Sequence, residues 1–113
     1  MSVREHLESL IEAWRDGDAV RAVAHFAPDA VYREAGGHPI AGRDAIFAHF
    51  TRFFRDGPRW RFEVDLVLVD GERAALGYRF ATEGRGLAWS ERAGCALVRL
   101  SGGAIAEWRE YEG

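Results

Sequence analysis

Apolar residues in the first part of the chain recur at helical spacing. Four of them occupy the i, i+3, i+4 and i+7 positions of one helix face: Leu7, Leu10, Ile11 and Trp14. This stripe is typical of an amphipathic helix that packs on a core. Ser2 followed three residues later by Glu5 matches a capping box. The pattern therefore predicts a first helix from about Val3 to Arg15.

Two further helices are predicted in the first half of the chain. The sequence Asp-Gly-Asp at 16–18 is typical of a tight corner between helices, because glycine tolerates the left-handed conformation and aspartate caps the next helix. The second helix is expected to end at Pro28 and to place three residues inward: Val20, Val23 and Ala24. The third is expected to begin after Gly42, to end at 56–58, and to bury a largely aromatic face: Ile46, Phe47, Phe50, Phe53 and Phe54.

Alternation with a period of two indicates strands elsewhere. A short strand from Ala30 to Glu34 places Tyr32 and Glu34 on one side. A longer one begins at Trp60, with an expected inner face of alternating residues: Trp60, Phe62, Val64, Leu66 and Leu68. Strands near residues 76–80, 87–100 and 104–111 follow after glycine turns. This order predicts an α+β fold, with three helices packed on a curved antiparallel sheet.

Length, charge and cysteine content narrow the classes of function. The 113 residues are expected to form one domain, 1–113. The net charge is −3 and the basic residues form no run, so no nucleic-acid partner is expected. No apolar stretch is long enough to span a membrane. The amino terminus is charged where a signal peptide would be apolar, and Cys95 is the single cysteine, so a cytoplasmic location is expected.

The residue types present also restrict the chemistry. All fifteen basic residues are Arg, and the chain contains no Lys, Asn or Gln, which excludes lysine Schiff bases and amide oxyanion donors. His6, His25 and His49 lack the spacing of a metal site, and no phosphate-binding glycine loop follows a strand. We therefore expect neither a metal nor an organic cofactor. His38, close to Glu34 in sequence, is either a proton shuttle or an exposed loop residue.

Four segments of the chain resemble the SnoaL-like proteins of the nuclear transport factor 2-like (NTF2-like) superfamily. They are Ala13 to Asp18, Phe26 to Tyr32, Gly42 to Ile46 and Ile105 to Tyr111. The resemblance covers essentially the whole chain and implies a cone that encloses an apolar pocket, commonly in homodimers packed through the sheet. Because this fold hosts isomerases, cyclases, hydrolases and non-catalytic members, function must be argued from individual residues.

The resemblance to two enzymes of the superfamily suggests candidate residues. The general base of ketosteroid isomerase falls at Glu34. The water-binding Tyr and Asn of limonene epoxide hydrolase fall on Tyr32 and Glu34, and its water-activating Asp falls on Glu110 of a Trp-Arg-Glu-Tyr run. These comparisons imply that the three side chains face one cavity, where burial and mutual repulsion would raise the pKa of at least one carboxyl group.

Some catalytic side chains of each enzyme have no counterpart at the matching positions of this chain. The two oxyanion donors of ketosteroid isomerase fall near Leu10 and Ala96, which cannot donate a hydrogen bond. Limonene epoxide hydrolase carries an Arg and an acid two residues apart on its middle strand, whereas residues 76–80 offer only Arg79. The resemblance thus supplies a candidate carboxylate pair without a complete known mechanism.

The leading hypothesis is a cofactor-independent proton-transfer enzyme of isomerase, cyclase or hydrolase type, acting on a mostly apolar small molecule that bears oxygen. Glu34 would be the base, Glu110 a carboxylate that orients water or shuttles the proton, and Tyr32 a hydrogen-bond donor. The expected pocket lining comprises Trp14, Phe50, Phe54, Trp60, Tyr78, Arg92 and Trp108. The alternative is a non-catalytic ligand-binding or dimerisation module, in which Glu34 faces water and Glu110 pairs with Arg92 or Arg109.

Overall fold

Three helices precede most of the sheet in the computed structural model, which describes residues 1–113. They are α1 (Val3–Arg15), α2 (Ala19–Val23) and α3 (Arg43–Asp56). The predicted capping box is present, since the Glu5 amide donates to Ser2 Oγ at 3.1 Å and the Ser2 amide donates to Glu5 Oε1 at 2.9 Å. No helix is long and apolar enough to cross a membrane.

Six strands form one curved, open sheet. They are β1 (Phe26–Arg33), β2 (Ile40–Ala41), β3 (Trp60–Asp70), β4 (Arg73–Glu83), β5 (Trp89–Ser101) and β6 (Ala104–Glu112). The predicted α+β class is confirmed, and β3 to β6 form the predicted antiparallel meander. The sheet is mixed, however, because β1 pairs in parallel with β6. The strand order is β2-β1-β6-β5-β4-β3.

The predicted role of Pro28 is wrong. Helix α2 ends at Val23, five residues before the proline, and Val20 is 66% exposed instead of facing inward. Pro28 lies within β1, in the interval between Phe26 and Val31 where the register with β6 shifts. A proline is tolerated at such an irregular position because it breaks no ladder hydrogen bond.

A bulge in β3 changes which side chains face the core. The register with β4 shifts between Val64 and Leu66, and beyond this point Val67 packs against the core. Leu66 and Leu68 are 52% and 57% exposed, so the prediction that they are buried was wrong. One additional residue reverses the inward and outward alternation of a strand. The outer face of the sheet consequently carries apolar residues.

The core lies between the helices and the inner face of the sheet. Its largest fully buried side chains are Leu7, Phe26, Ile46, Phe50, Leu76 and Ile105. An aromatic cluster adjoins it, centred on Trp14 of α1. The Trp14 ring centre lies within 6.4 Å of six other aromatic rings: Phe50, Phe53, Phe54, Trp60, Phe62 and Phe80. These rings connect α1 and α3 to one end of the sheet.

His25 joins α1 to the segment that follows α2. Its Nδ1 atom lies 3.0 Å from His6 Nδ1, and its Nε2 atom lies 3.0 Å from Ser9 Oγ. Burial lowers the pKa of His25 below the ordinary value of 6.5, and the charges of His6 and Arg21 lower it further.

We expect His25 to make folding stability depend on pH. Because the unfolded chain takes up a proton near pH 6.5 while the folded state resists it, the contribution of His25 is intact above this pH and is lost as the pH falls toward the lowered pKa. Chemical denaturation between about pH 8 and pH 5.5 would measure the effect. His25→Gln should show a shallower loss of stability than wild type, whereas the exposed-loop variant His38→Gln should follow wild type. Identical pH profiles for wild type and His25→Gln would contradict this expectation.

Candidate functional site

A cavity of about 480 Å³ lies between α1, α3 and the inner face of the sheet. This volume falls within the range of small-molecule sites. Five of the seven residues predicted to line a pocket do line this cavity: Trp14, Phe50, Tyr78, Arg92 and Trp108. Phe54 and Trp60 do not, because they pack behind Trp14, with ring centres 5.0 and 5.4 Å from it.

The three predicted catalytic residues also line the cavity. Parallel pairing of β1 with β6 places Tyr32 beside Trp108, with the two rings stacked 6.5 Å apart. Because side chains two residues apart lie on the same face of a strand, Glu34 and Glu110 follow on that face. The Tyr32 hydroxyl donates to Glu34 Oε2 at 3.4 Å. The register of two strands thus brings distant parts of the sequence together.

Glu110 has the most unusual environment of the carboxyl groups in the cavity. Burial raises its pKa from 4.5 to about 7, and the nearby charges of Glu34 and Glu112 act in the same direction. The hydrogen bond from Trp108 partly opposes this rise in pKa. The Trp108 bond is short, with Nε1 donating to Glu110 Oε2 at 2.8 Å. A carboxyl group with this pKa can both accept and release a proton near neutral pH.

The two tyrosine hydroxyls of the cavity keep their protons at neutral pH. Burial raises the pKa of Tyr32 well above 10, and the negative charges of Glu110 and Glu34 raise it further. Burial and the charge of Glu110 likewise raise the pKa of Tyr78. Both hydroxyls are therefore hydrogen-bond donors to the carboxylates around them.

His49 is part of the site but was not among the predicted site residues. Its Nε2 atom lies 2.9 Å from Glu34 Oε1, which fixes the carboxylate from the side of α3. His49 follows Ile46 by three residues and precedes Phe53 by four, so its helix face could have been recognised in the sequence. His38, the histidine considered as a proton shuttle, is exposed.

Glu112 is the second residue that sequence reasoning missed. It accepts a hydrogen bond from the Tyr78 hydroxyl at 3.0 Å and lies 3.3 Å from Arg92 Nε. Its position two residues after Glu110 on β6 is the signal that could have identified it. The ion pair of Glu110 with Arg92 or Arg109 that the non-catalytic alternative predicts is absent. Arg92 instead binds Glu112, and Arg109 binds a glutamate two residues earlier on β6.

The positions at which ketosteroid isomerase and limonene epoxide hydrolase carry further polar groups supply none to this cavity. Arg79 pairs with Asp65 at 3.8 Å, and about half of each side chain is exposed. Leu10 lines the cavity and Ala96 is buried in the core, and neither side chain can donate a hydrogen bond. No group of three or more His, Cys, Asp or Glu side chains is placed to hold a metal ion.

The comparison with protein families agrees with this architecture. The sequence profile of the SnoaL-like domain matches residues 7–108. The chain belongs to the SnoaL-like domain family. The predicted relationship to SnoaL-like and NTF2-like proteins is therefore confirmed. No curated protein sequence matches this SnoaL-like chain.

Solved structures resemble the SnoaL-like chain along nearly its whole length. An NTF2-like protein of Burkholderia pseudomallei is 16% identical, with a TM-score of 0.87 over 100% of this chain and 92% of that one. An LEH-like epoxide hydrolase of M. tuberculosis is 19% identical, with a TM-score of 0.83 over 96% and 80% of the two chains. A protein of Catenulispora acidiphila with a ketosteroid isomerase-like fold is 18% identical, with a TM-score of 0.83 over 97% and 86%. These similarities establish the fold.

Proposed function

We propose that this SnoaL-like chain is a small-molecule enzyme that transfers protons without a cofactor, in a reaction of isomerase, cyclase or hydrolase type. The observation that carries the proposal is Glu110, a half-buried carboxyl group that lines an aromatic cavity and has a pKa raised to about 7. Perturbed carboxyl groups in clefts are characteristic of acid and base catalysts. The apolar walls favour a mostly apolar substrate, and the carboxyl and hydroxyl groups favour one that bears oxygen.

The residues around Glu110 have distinct roles in this proposal. Glu110 exchanges a proton with the substrate or with a water molecule, because its pKa is raised to about 7. Tyr32 donates a hydrogen bond that positions the reacting group. Glu34, whose side chain is 41% exposed, returns the proton to solvent and is held in place by His49. This assignment moves the proton exchange from Glu34, its predicted site, to Glu110.

A non-catalytic ligand-binding module is the second candidate. It is favoured by the apolar residues Leu10 and Ala96 at the positions where ketosteroid isomerase has oxyanion donors. The Catenulispora acidiphila neighbour is a complex with trimethylamine, which shows that a protein of this fold binds a small molecule. Under this alternative the cavity binds a ligand and Glu110 contributes to affinity alone.

A two-stage experiment separates the two candidates. A thermal-shift screen with small epoxides, ketones and alcohols would first identify ligands, because a ligand that binds only the folded state raises its stability. Incubation of each ligand with wild type, Glu110→Gln and the outer-face control Glu63→Gln would then show whether it is converted. Conversion of the ligand by wild type and Glu63→Gln, but not by Glu110→Gln, supports the enzyme hypothesis. Binding by all three proteins without conversion supports the binding module.

We also propose that two copies of the chain pack through the outer face of the sheet. The strand pairings align Leu68 with Ala75 and Ala75 with Leu97, and they align Cys95 with Tyr111. Directly paired residues lie on the same face. Leu68, Leu97 and Tyr111 are 57%, 39% and 42% exposed, so this face presents an apolar patch suited to a homodimer.

Leu68→Asp should convert the dimer into a monomer, because each copy would bury an unpaired carboxylate in the apolar contact. Light scattering after size-exclusion chromatography would give the mass of each protein. The control Val20→Asp places the same charge on α2, where the side chain is 66% exposed, and should leave the dimer intact. A wild-type protein with the mass of one chain would refute the dimer.

A further inference from the structure

Three carboxyl groups line the cavity, and only two of them have a basic partner. Glu34 contacts His49, and Glu112 contacts Arg92. Glu110 forms no ion pair, and its hydrogen-bond donor is the neutral indole N–H of Trp108. An ionised carboxylate buried without a compensating charge is unfavourable. The cavity therefore lacks a positively charged partner for Glu110.

The charges around Glu110 do not supply the missing partner. Glu34 and Glu112, the charged groups that act on it, are both negative and disfavour its ionised form. Arg92 is the only arginine that lines the cavity, and its Nε atom is engaged by Glu112 while its guanidinium group lies 5.4 Å from the centre of the Phe80 ring. A positive charge that completes the site would have to come from a ligand.

The walls of the cavity suit a positive charge as well. The lining includes the rings of Trp14, Phe50, Phe53, Phe62 and Phe80. Aromatic faces attract cations, most strongly when the cation has lost water, and they also provide contact for alkyl groups. An anionic ligand would instead meet three carboxyl groups. The aromatic walls and the carboxyl groups thus favour the same class of ligand.

We propose that the cavity binds organic ammonium ions, which are protonated amines with apolar substituents, by donation of an N–H hydrogen bond to Glu110 while the substituents pack against the aromatic rings. The proposal rests on the cavity being the ligand site of the proposed function, but it does not require catalysis. If the protein is an enzyme, the same charges favour reactions in which protonation makes the substrate positive, and they disfavour reactions that pass through an enolate anion.

Three probes of similar size and different charge test the proposal: cyclohexylamine, cyclohexanol and cyclohexanecarboxylate. Titration calorimetry at pH 8 should give the tightest binding for the amine, about tenfold tighter than the alcohol, with the carboxylate weakest. Affinity for the amine should rise roughly tenfold between pH 6 and pH 8, because the ionised fraction of a carboxyl group with a pKa of about 7 rises over this interval. The affinity for cyclohexanol should not rise with pH.

Glu110→Gln should bind cyclohexylamine and cyclohexanol with similar affinity, whereas the control Glu63→Gln should keep the wild-type preference. The pH series on wild type provides an independent test if Glu110→Gln fails to fold. Binding of cyclohexanol as tightly as cyclohexylamine by wild type would overturn the ammonium proposal and leave the ligand site intact. Failure of all three probes to bind wild type would count against the cavity as a ligand site, and so against both proposals.

Discussion

Glu110→Gln should reduce turnover of a substrate of this protein by about 10²- to 10⁴-fold, the usual contribution of a general acid or base. The substitution keeps the size of the side chain and a carbonyl oxygen for the Trp108 hydrogen bond, but it removes the group that exchanges a proton. For a neutral substrate, the affinity of the protein should change much less than kcat. Steady-state kinetics on a ligand found in the thermal-shift screen would measure both parameters.

The same variant should be more stable than wild type at alkaline pH. The pKa of Glu110 rises from 4.5 in the unfolded chain to about 7 in the folded protein, so its protonation favours folding below pH 4.5 and this contribution is lost as the pH rises through 7. At pH 8 the ionised wild-type side chain should cost about 1–3 kcal/mol, which glutamine avoids. At pH 5 the two proteins should have similar free energies of unfolding.

The combination of lower activity and higher stability distinguishes a catalytic carboxyl group from a structural one. Loss of a structural ion pair would lower stability at every pH above 5. Glu63→Gln, which removes an exposed carboxylate from the outer face of the sheet, should leave both activity and stability close to wild type. Full activity of Glu110→Gln would exclude proton exchange at this position.

Gly94→Ala should destabilise the fold and disrupt one wall of the cavity. Gly94 lies on β5 opposite Tyr78 on one side and Glu112 on the other. A Cβ atom at this position would lie 2.7 Å from the Tyr78 hydroxyl oxygen, 2.7 Å from the Tyr111 carbonyl oxygen and 2.8 Å from Glu112 Cγ. Overpacking of this kind lowers the free energy of unfolding by about 1–3 kcal/mol. A shift of the neighbouring side chains that relieved the clash would separate Tyr78 from Glu112.

Thermal denaturation and ligand titration would measure the two effects of Gly94→Ala. The control is Gly84→Ala, because the nearest atom to a Cβ at Gly84 is 3.7 Å away and its φ of −98° is open to any residue. It should change stability by no more than about 0.5 kcal/mol. A Gly94→Ala protein with wild-type melting temperature and ligand affinity would show that this strand contact is unimportant.

Much of the fold could be predicted because local patterns determine it. The capping box at Ser2, the glycine corner at 16–18 and the turn at 56–58 each act within a few residues, and the structure contains all three boundaries. The bulge after Val64 and the parallel pairing of β1 with β6 depend on contacts between distant segments. No local pattern encodes them, so the outward direction of Leu66 could not be predicted.

The residues of the candidate site also divide into those that the sequence identified and those that depend on tertiary contacts. Tyr32, Glu34 and Glu110 were identified through the family resemblance, and the structure places all three at one cavity. The partners of these residues depend on tertiary geometry: His49 reaches Glu34 from α3, and Arg92 meets Glu112 from the neighbouring strand. The isolation of Glu110 from basic residues follows from those pairings. It could not be inferred from the sequence, in which Arg109 directly precedes Glu110.

The most direct test of the proposed function is the titration of Glu110 itself. Carbon NMR of protein labelled at the glutamate side-chain carboxyl groups would follow each group between about pH 3 and pH 9, and the Glu110→Gln spectrum would assign the signal. Burial beside Glu34 and Glu112 predicts a midpoint of about 7. A midpoint near 4.5, the ordinary value for glutamate, would show that the group is ionised at neutral pH and would contradict its role in proton exchange.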